Sequence, residues 1–118
     1  MQNTKSWLGV YGEQLAVQRL RRLGYEILAQ NAYTRAGEID IVAKDGMTLV
    51  FVEVKTRSSL RAGNPIEAVT PSKLARMRRL AAAWCAQKRV SNTQVRFDVI
   101  GILVQAGRIS IDHLQQVG

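Results

Sequence analysis

The chain contains few of the residues that build disulfide bonds, thiolate metal sites or membrane spans. Cys85 is its only cysteine, so an internal disulfide and a cysteine-rich zinc site are both excluded. No apolar run approaches the roughly 20 residues of a membrane-spanning helix, and residues 1–13 hold no apolar stretch of signal-peptide length. We therefore expect a cytoplasmic protein that has no membrane partner.

Acidic residues are scarce as well, and basic residues outnumber them. The chain of 118 residues has 17 Lys and Arg against 9 Asp and Glu, which gives a formal net charge of +8. A small basic domain gains affinity for nucleic acid because its cations release the counterions condensed on phosphates. Charge alone leaves ribosomal RNA, DNA and an anionic membrane surface open as partners.

The apolar pattern predicts a single domain over residues 1–118 that contains both helices and strands. Helical spacing covers residues 8–23, before the stop signal Gly24, and resumes at Thr70-Pro71, an N-cap followed by proline. This second helix is expected to run to about Arg89, and the core needs its apolar residues, which weakens the membrane alternative. Strands are predicted at 25–33, 38–43, 48–57, 95–104 and 108–113, with an exposed loop at 58–64.

The predicted fold class is α/β, with the order α-β-β-β-α-β-β and a central mixed sheet flanked by helices. A helix between the third and fourth strands indicates a right-handed crossover, which makes those two strands parallel. Trp84 and Cys85 are expected in the core. Asp98 is expected in a structural or solvent-facing role, and His113 on the surface of an edge strand.

A tight hairpin joins the second and third strands. Side chains alternate along a strand, so Glu53 and Lys55 share one face of the third strand. A loop formed by residues 45–46 places Asp40 one diagonal step from Glu53, and a loop formed by residues 46–47 places it directly opposite. Both registers bring the two carboxylates within reach of one ion, whereas a three-residue loop without a bulge separates them.

Two adjacent carboxylates repel each other unless a proton or a cation lies between them. Mg²⁺ suits such a pair because it prefers oxygen ligands and keeps water or substrate phosphate as its other ligands. The ammonium group of Lys55 can stabilise charge that develops on a phosphate under attack and can orient the attacking water. Acids and lysines on hairpins commonly pair on the solvent face, but the apolar run VFVEV indicates an interior strand, where charged groups are costly.

The segment GEIDIVAKDGMTLVFVEVKTR resembles the signature of the PD-(D/E)xK nuclease superfamily, in which an Asp on one strand and Glu-x-Lys on the next bind a metal ion. From GEQLAVQRL to FDVIGI the sequence is similar to the YraN family of small bacterial proteins, which resemble archaeal Holliday junction resolvases. The resemblance implies a restriction-endonuclease-like domain with Mg²⁺ or Mn²⁺ as cofactor. It also implies that Asp40 and Glu53 are metal ligands and that Lys55 is catalytic.

The resemblance implies roles for three further residues. Glu13 matches an acid that resolvase-like members place beside the metal ion, and a helix-surface Glu favoured by the helix dipole explains it equally. Arg35 matches a family position and is interpreted as a phosphate contact or a turn arginine. Glu38 shares the face of Asp40 and is either an outer acid of the site or a partner of Arg35.

Basic residues are concentrated after the hairpin. Lys73, Arg76 and Arg79 are spaced three apart on the second helix and line a side that can follow a phosphate backbone, unless this side is merely solvated. The residues predicted to contact nucleic acid are Arg35, Arg57, Arg61, Lys73 and Arg76.

The sequence therefore predicts a metal-dependent endonuclease that hydrolyses phosphodiester bonds. DNA is favoured over RNA, and branched or otherwise structured DNA is the substrate suggested by analogy. A homodimer is left open beside a monomer, because cutting a junction needs two symmetry-related sites. The rival hypotheses are a non-catalytic nucleic-acid-binding module that keeps the nuclease fold and an adaptor that docks on another protein.

Overall fold

The computed structural model of the chain describes residues 6–59, 61 and 69–117. Within these ranges it contains two helices and one five-stranded sheet in the predicted order, so the α/β fold class is confirmed. The elements are α1 Trp7–Arg22, β1 Glu26–Thr34, β2 Gly37–Asp45, β3 Thr48–Arg57, α2 Pro71–Lys88, β4 Gln94–Gln105 and β5 Arg108–Leu114.

The strands lie side by side in the order in which they occur along the chain, from β1 to β5. Every neighbouring pair is antiparallel except β3 and β4, which are parallel. An antiparallel pair needs only a tight turn, whereas a parallel pair needs a crossover, and α2 lies in the connection between β3 and β4. The predicted parallel pairing of the third and fourth strands is confirmed.

Capping groups define the ends of both helices. The Ser6 hydroxyl accepts a hydrogen bond of 3.1 Å from the Gly9 N–H at the start of α1, and the Thr70 hydroxyl accepts one of 3.2 Å from the Lys73 N–H at the start of α2. Gly24 follows α1 with a φ of +88°, a left-handed conformation that glycine adopts without strain. Neither of these two described helices is long and apolar enough to cross a membrane.

A helix covers each face of the sheet, and β3 contributes to both cores. Val50 and Val52 pack on the α1 side, whereas Leu49 and Phe51 pack on the α2 side. Trp84 of α2 meets the Phe51 ring edge-on, with 5.7 Å between ring centroids. β3 is therefore an interior strand on both faces, as its apolar run predicts.

The predicted loop at 58–64 lies only partly within the described residues. Ser58 and Arg61 are exposed, as expected of a loop, and Ser58 and Ser59 form a bend at the end of β3. Residues 60 and 62–64 lie outside the described residues.

A buried polar network joins β4 to the C-terminal segment. Asp98 is fully buried, and its carboxylate accepts hydrogen bonds of 2.9 and 3.1 Å from Arg96 and one of 3.1 Å from the Gln116 N–H. His113 Nε2 lies 2.8 Å from the same carboxylate, and Arg96 also donates to Asp45 at 2.9 Å. Of the two roles expected for Asp98, the structure supports the structural one.

The expected surface position of His113 is wrong. Its side chain is 5% exposed, because His113 pairs with Ile100 and therefore faces the same side of the sheet as Asp98, two residues earlier on β4. An edge strand has one side turned toward the core, and the sequence does not reveal which side a lone histidine takes.

Burial raises the pKa of Asp98, but hydrogen bonds from His113, Arg96 and the Gln116 N–H outweigh burial and hold the pKa below its usual value of 3.8. The unfolded chain consequently takes up this proton at a higher pH than the folded chain does. Asp98 therefore contributes stability that is fully present above its unfolded-state pKa and is lost as the pH falls through its folded-state pKa.

We predict that Asp98→Ala destabilises the protein by about 3–5 kcal/mol at neutral pH, because it leaves Arg96 without its buried partner. The variant should also lose part of the acid-dependent fall in the free energy of unfolding below about pH 4. Urea unfolding across this pH range measures both effects, with Asp112→Asn, an exposed acid of β5, as the control. A loss no larger than that of the control contradicts the structural role of Asp98.

Candidate functional site

The β2–β3 turn has one of the two registers that the sequence allows. Asp45 pairs with Thr48, so the two-residue turn consists of residues 46–47. If this register is continued away from the turn, Asp40 on β2 comes to lie opposite Glu53 on β3. The two acids therefore lie on neighbouring strands at the same distance from the turn.

The two strands part where these acids lie. Ile41 and Val52 are the last pair of the described ladder, one position before Asp40 and Glu53. Here the Asp40 side chain, and not the backbone of β2, is the hydrogen-bond acceptor, because its Oδ2 accepts a bond of 2.8 Å from the Val54 N–H. This bond attaches the Asp40 carboxylate to the strand that carries Glu53.

Strict alternation of side chains along β2 breaks down at Asp40. Ile39 and Val42 both pack on the α2 side of the sheet, whereas Ile41 between them packs on the α1 side. On β1, Asn31 is a non-glycine residue with a φ of +50°, and it lies between Gln30 and Ala32, the partners of Ile41 and Ile39. Irregular ladders re-aim side chains, and reasoning from a period of two cannot predict them.

A cavity of about 410 Å³ opens beside Asp40 and Glu53. Its volume lies within the range of about 300–1,000 Å³ that is typical of small-ligand sites. Parts of α1, β2, β3 and α2 line it, and its charged lining residues are Glu13, Glu38, Asp40, Glu53, Lys55 and Arg76. The three residues of the predicted triad therefore meet at one cavity, together with two further acids.

Glu53 lies between two cations on the wall of the cavity. Its side chain is 12% exposed, its Oε1 accepts a hydrogen bond of 2.5 Å from Arg76, and its Oε2 lies 3.9 Å from the Lys55 ammonium. Both carboxylate oxygens therefore face positive charge, which offsets the cost of burying the carboxylate. The sequence predicts Arg76 as a phosphate contact and contains no signal for its pairing with Glu53.

Lys73 adds positive charge beside this pair. It lies in the first turn of α2, three residues before Arg76. Burial lowers the pKa of Lys73, and the nearby ammonium of Lys55 lowers it further. The predicted basic side of the second helix therefore approaches Glu53 through Lys73 and Arg76.

Glu13 reaches the cavity because α1 lies very close to β3. A Cβ atom at Gly12 would lie 1.9 Å from the Thr56 hydroxyl oxygen, which leaves no room for a side chain. Gly12 permits this close approach, and Glu13, the next residue, is only 7% exposed. A surface position on the helix is thereby excluded for Glu13. A glycine inside a helical pattern is the one sequence signal that points to such a contact.

The remaining predicted residues do not all reach the cavity. Glu38 lines it. Arg35 lies in the exposed two-residue turn between β1 and β2, where it lines a separate pocket beside α2. Arg57 is half-buried at the end of β3 and Arg61 is exposed. Of the five predicted nucleic-acid contacts, Arg76 lines the cavity, whereas the other four are not among the described residues that line it: Arg35, Arg57, Arg61 and Lys73.

The donor atoms suit a hard divalent cation better than zinc. Within residues 6–59, 61 and 69–117, no three or more His, Cys, Asp or Glu side chains are arranged to hold a metal ion. An ion between Asp40 and Glu53 would therefore have two carboxylate ligands and would take the others from water and substrate. Mg²⁺ and Mn²⁺ accept such a shell of oxygen atoms.

We predict that Gly12→Ala destabilises the protein by about 1–3 kcal/mol, because the added methyl group forces α1 away from β3. Thr56→Ala removes the hydroxyl oxygen nearest to that methyl group but leaves its own Cβ atom, so the double variant should recover part of the loss. Urea unfolding of the wild type, the two single variants and the double variant measures the coupling. Strictly additive losses contradict a close contact between the two positions.

Comparison with known proteins identifies the family of the chain. Residues 12–102, a span that includes every charged residue of the cavity, match the uncharacterised protein family UPF0102. A UPF0102 protein of Beutenbergia cavernae is 50% identical over 115 residues, which cover 97% of this chain and 98% of the relative. A UPF0102 protein of Nocardia farcinica is 49% identical over 114 residues, which cover 96% and 90%. A UPF0102 protein of Syntrophomonas wolfei is 45% identical over 107 residues, which cover 91% and 93%. The resemblance to the YraN family is confirmed, and the chain belongs to the UPF0102 family.

Proposed function

We propose that this protein hydrolyses phosphodiester bonds of nucleic acid with the help of Mg²⁺ or Mn²⁺. The observation that carries the proposal is the meeting of Asp40 and Glu53 at one cavity, beside the ammonium group of Lys55. The two carboxylates offer oxygen ligands, and Lys55 and Arg76 offer positive charge. A phosphodiester that is bound together with a cation needs oxygen ligands for the cation and positive charge beside the phosphate.

Asp40 and Glu53 are suited to hold the ion because the backbone sets their positions. The Val54 N–H fixes the Asp40 carboxylate against β3, the strand on which Glu53 lies one residue earlier. When bound, the ion would polarise the phosphoryl group and acidify the attacking water. The buried side chain of Glu13 brings a further acid to the cavity and would support this arrangement.

Lys55 is suited to assist the attack on phosphorus. It lies two residues after Glu53 on β3, and its side chain is 24% exposed, so it is shielded and still reaches the cavity. Its ammonium group would orient the attacking water and stabilise the negative charge that develops on the phosphate oxygens. Lysine performs this task well because its charge is compact and its pKa shifts readily.

Nucleic acid is the substrate class that the charge distribution favours. The net charge is +8, and Lys73 and Arg76 lie beside the carboxylates, with Arg78 and Arg79 exposed on the same helix. Cations along α2 would contact phosphates on either side of the bond to be cut. DNA rather than RNA, a branched structure, a homodimer and a cytoplasmic location follow only from the family resemblance and composition, and belong to the proposal.

A non-catalytic nucleic-acid-binding module is the second candidate, and the contacts of Glu53 favour it. Arg76 and Lys55 already compensate the charge of this carboxylate, so Glu53 needs no metal ion as a partner. Such a module binds nucleic acid equally well with and without a chelator, and it leaves its ligand intact.

We predict cleavage of at least one member of a panel of labelled duplex, single-stranded, nicked and branched DNA and RNA substrates in Mg²⁺ or Mn²⁺, and none in chelator. Glu53→Gln and Lys55→Ala should each lower the cleavage rate at least about 100-fold. Glu53→Gln removes the negative charge of a metal ligand, and Lys55→Ala removes the ammonium group beside it. Denaturing gels measure cleavage, and nitrocellulose filter retention measures binding of the same labelled substrates.

Asp112→Asn is the matched control, since it removes an exposed carboxylate that does not line the cavity. Equal cleavage by the wild type and both site variants would falsify the assigned site. A panel that stays intact throughout, with binding that chelator does not change, supports the binding module instead.

A further inference from the structure

We propose that Arg76 and the metal ion compete for Glu53, and that a phosphate of the nucleic acid draws Arg76 away, so that metal and nucleic acid bind cooperatively. This inference rests on the proposed metal site and adds a regulation to it. Arg76 would then hold the site in a state of low metal affinity until substrate arrives.

The competition follows from the position of the Arg76 guanidinium. It donates a hydrogen bond of 2.5 Å to Oε1 of Glu53, one of the two oxygens that a cation would use. Metal–oxygen distances are near 2 Å, so joint occupancy would place a divalent and a monovalent cation only about 4 Å apart. Glu53 is 12% exposed, and little water is present there to screen the repulsion. A metal ion that binds Oε1 of Glu53 therefore requires Arg76 to move.

Arg76 is able to move, and an anion is what releases it. Its side chain is 47% exposed on α2, so it can turn outward without disturbing the core. A guanidinium stays charged at any physiological pH, so Arg76 is not released by the loss of its own proton. A phosphate oxygen pair, in contrast, accepts two parallel hydrogen bonds from one guanidinium and replaces the carboxylate as its partner.

The surroundings of Glu53 favour the arrival of a phosphate. Lys55 and Arg76 face its two oxygens, and Lys73 lies beside Lys55 in the first turn of α2. These three cations offer an incoming phosphate its ion-pair partners, although the acids Glu13, Glu38 and Asp40 line the same cavity and call for a cation as well. Because coupling is reciprocal, a phosphate that frees Glu53 raises the affinity for metal, and the metal raises the affinity for nucleic acid by the same factor.

The first test measures Mn²⁺ binding to the full chain without nucleic acid, from the electron paramagnetic resonance signal of free Mn²⁺. Arg76→Gln should tighten Mn²⁺ binding about tenfold, because it removes the competitor for Oε1. Lys73→Gln is the matched control, since it removes an equal charge one turn away but not the guanidinium that bonds to Glu53. It should change the affinity less than about threefold. Arg76→Ala repeats the comparison with a second side chain.

The second test measures the coupling by fluorescence anisotropy of a labelled DNA duplex. In the Lys55→Ala background, which is chosen to keep the duplex intact, Mn²⁺ should tighten DNA binding about tenfold. Adding Arg76→Gln should reduce this ratio of affinities. Arg76 is then absent, so DNA no longer has to draw it away from Glu53 before the metal ion binds. An unchanged ratio overturns the cooperative part of the inference.

The outcomes separate this inference from the proposed function. In one outcome, Asp40→Ala abolishes Mn²⁺ binding, but Arg76→Gln leaves it unchanged or tightens it no more than Lys73→Gln does. This outcome overturns the competition and leaves the nuclease proposal standing. Absence of Mn²⁺ binding in the wild type and in Arg76→Gln, or binding that Asp40→Ala does not affect, contradicts the metal site itself and both proposals with it.

Discussion

The hydrogen bond from the Val54 N–H to the Asp40 carboxylate is the contact on which the candidate site depends. β3 is buried on both faces, and an N–H of such a strand that lost its partner would carry a large desolvation cost. Beyond Ile41 and Val52, where the described β2–β3 ladder ends, the Asp40 side chain supplies the acceptor. One bond therefore lets the strands part, satisfies the backbone at the opening and anchors an acid at the edge of the cavity.

Acids and cations of the cavity come from different sets of elements that overlap at β3. The acids lie on α1, β2 and β3, and the cations on β3 and α2: Glu13, Glu38, Asp40 and Glu53, and Lys55 and Arg76. Glu53 persists as a carboxylate that is only 12% exposed because Arg76 and Lys55 lie within ion-pair distance of its two oxygens. The proposed phosphodiester would find oxygen ligands for a cation and positive charge for its phosphate in this one place.

The parts of the fold that depend on local signals could be predicted from the sequence, and those that depend on distant contacts could not. Caps at Thr70 and Gly24, the tight β2–β3 turn and the alternation along β3 act over a few residues, so the elements and the neighbouring positions of Asp40 and Glu53 followed from them. The choice between a turn at 45–46 and one at 46–47 did not follow from them, and the structure has the latter. The break in alternation at Asp40 did not follow from these local signals.

The contacts that the sequence did not reveal join residues far apart in the chain. Arg76 and Glu53 are separated by 23 positions, and whether a long side chain pairs inward or contacts solvent depends on packing that no local pattern encodes. The burial of His113 against Asp98 has the same origin, since 15 positions separate them. In contrast, the elements that line the cavity differ in rigidity for a reason that is local.

Gly12 of α1 packs directly on the Thr56 side chain of β3, so these two elements have little room to shift, whereas the half-exposed Arg76 on α2 can rotate. The proposed ligands of different width would thus be accommodated at α2, and relatives that diverge in what they bind should differ in α2 while positions 12 and 56 stay small together.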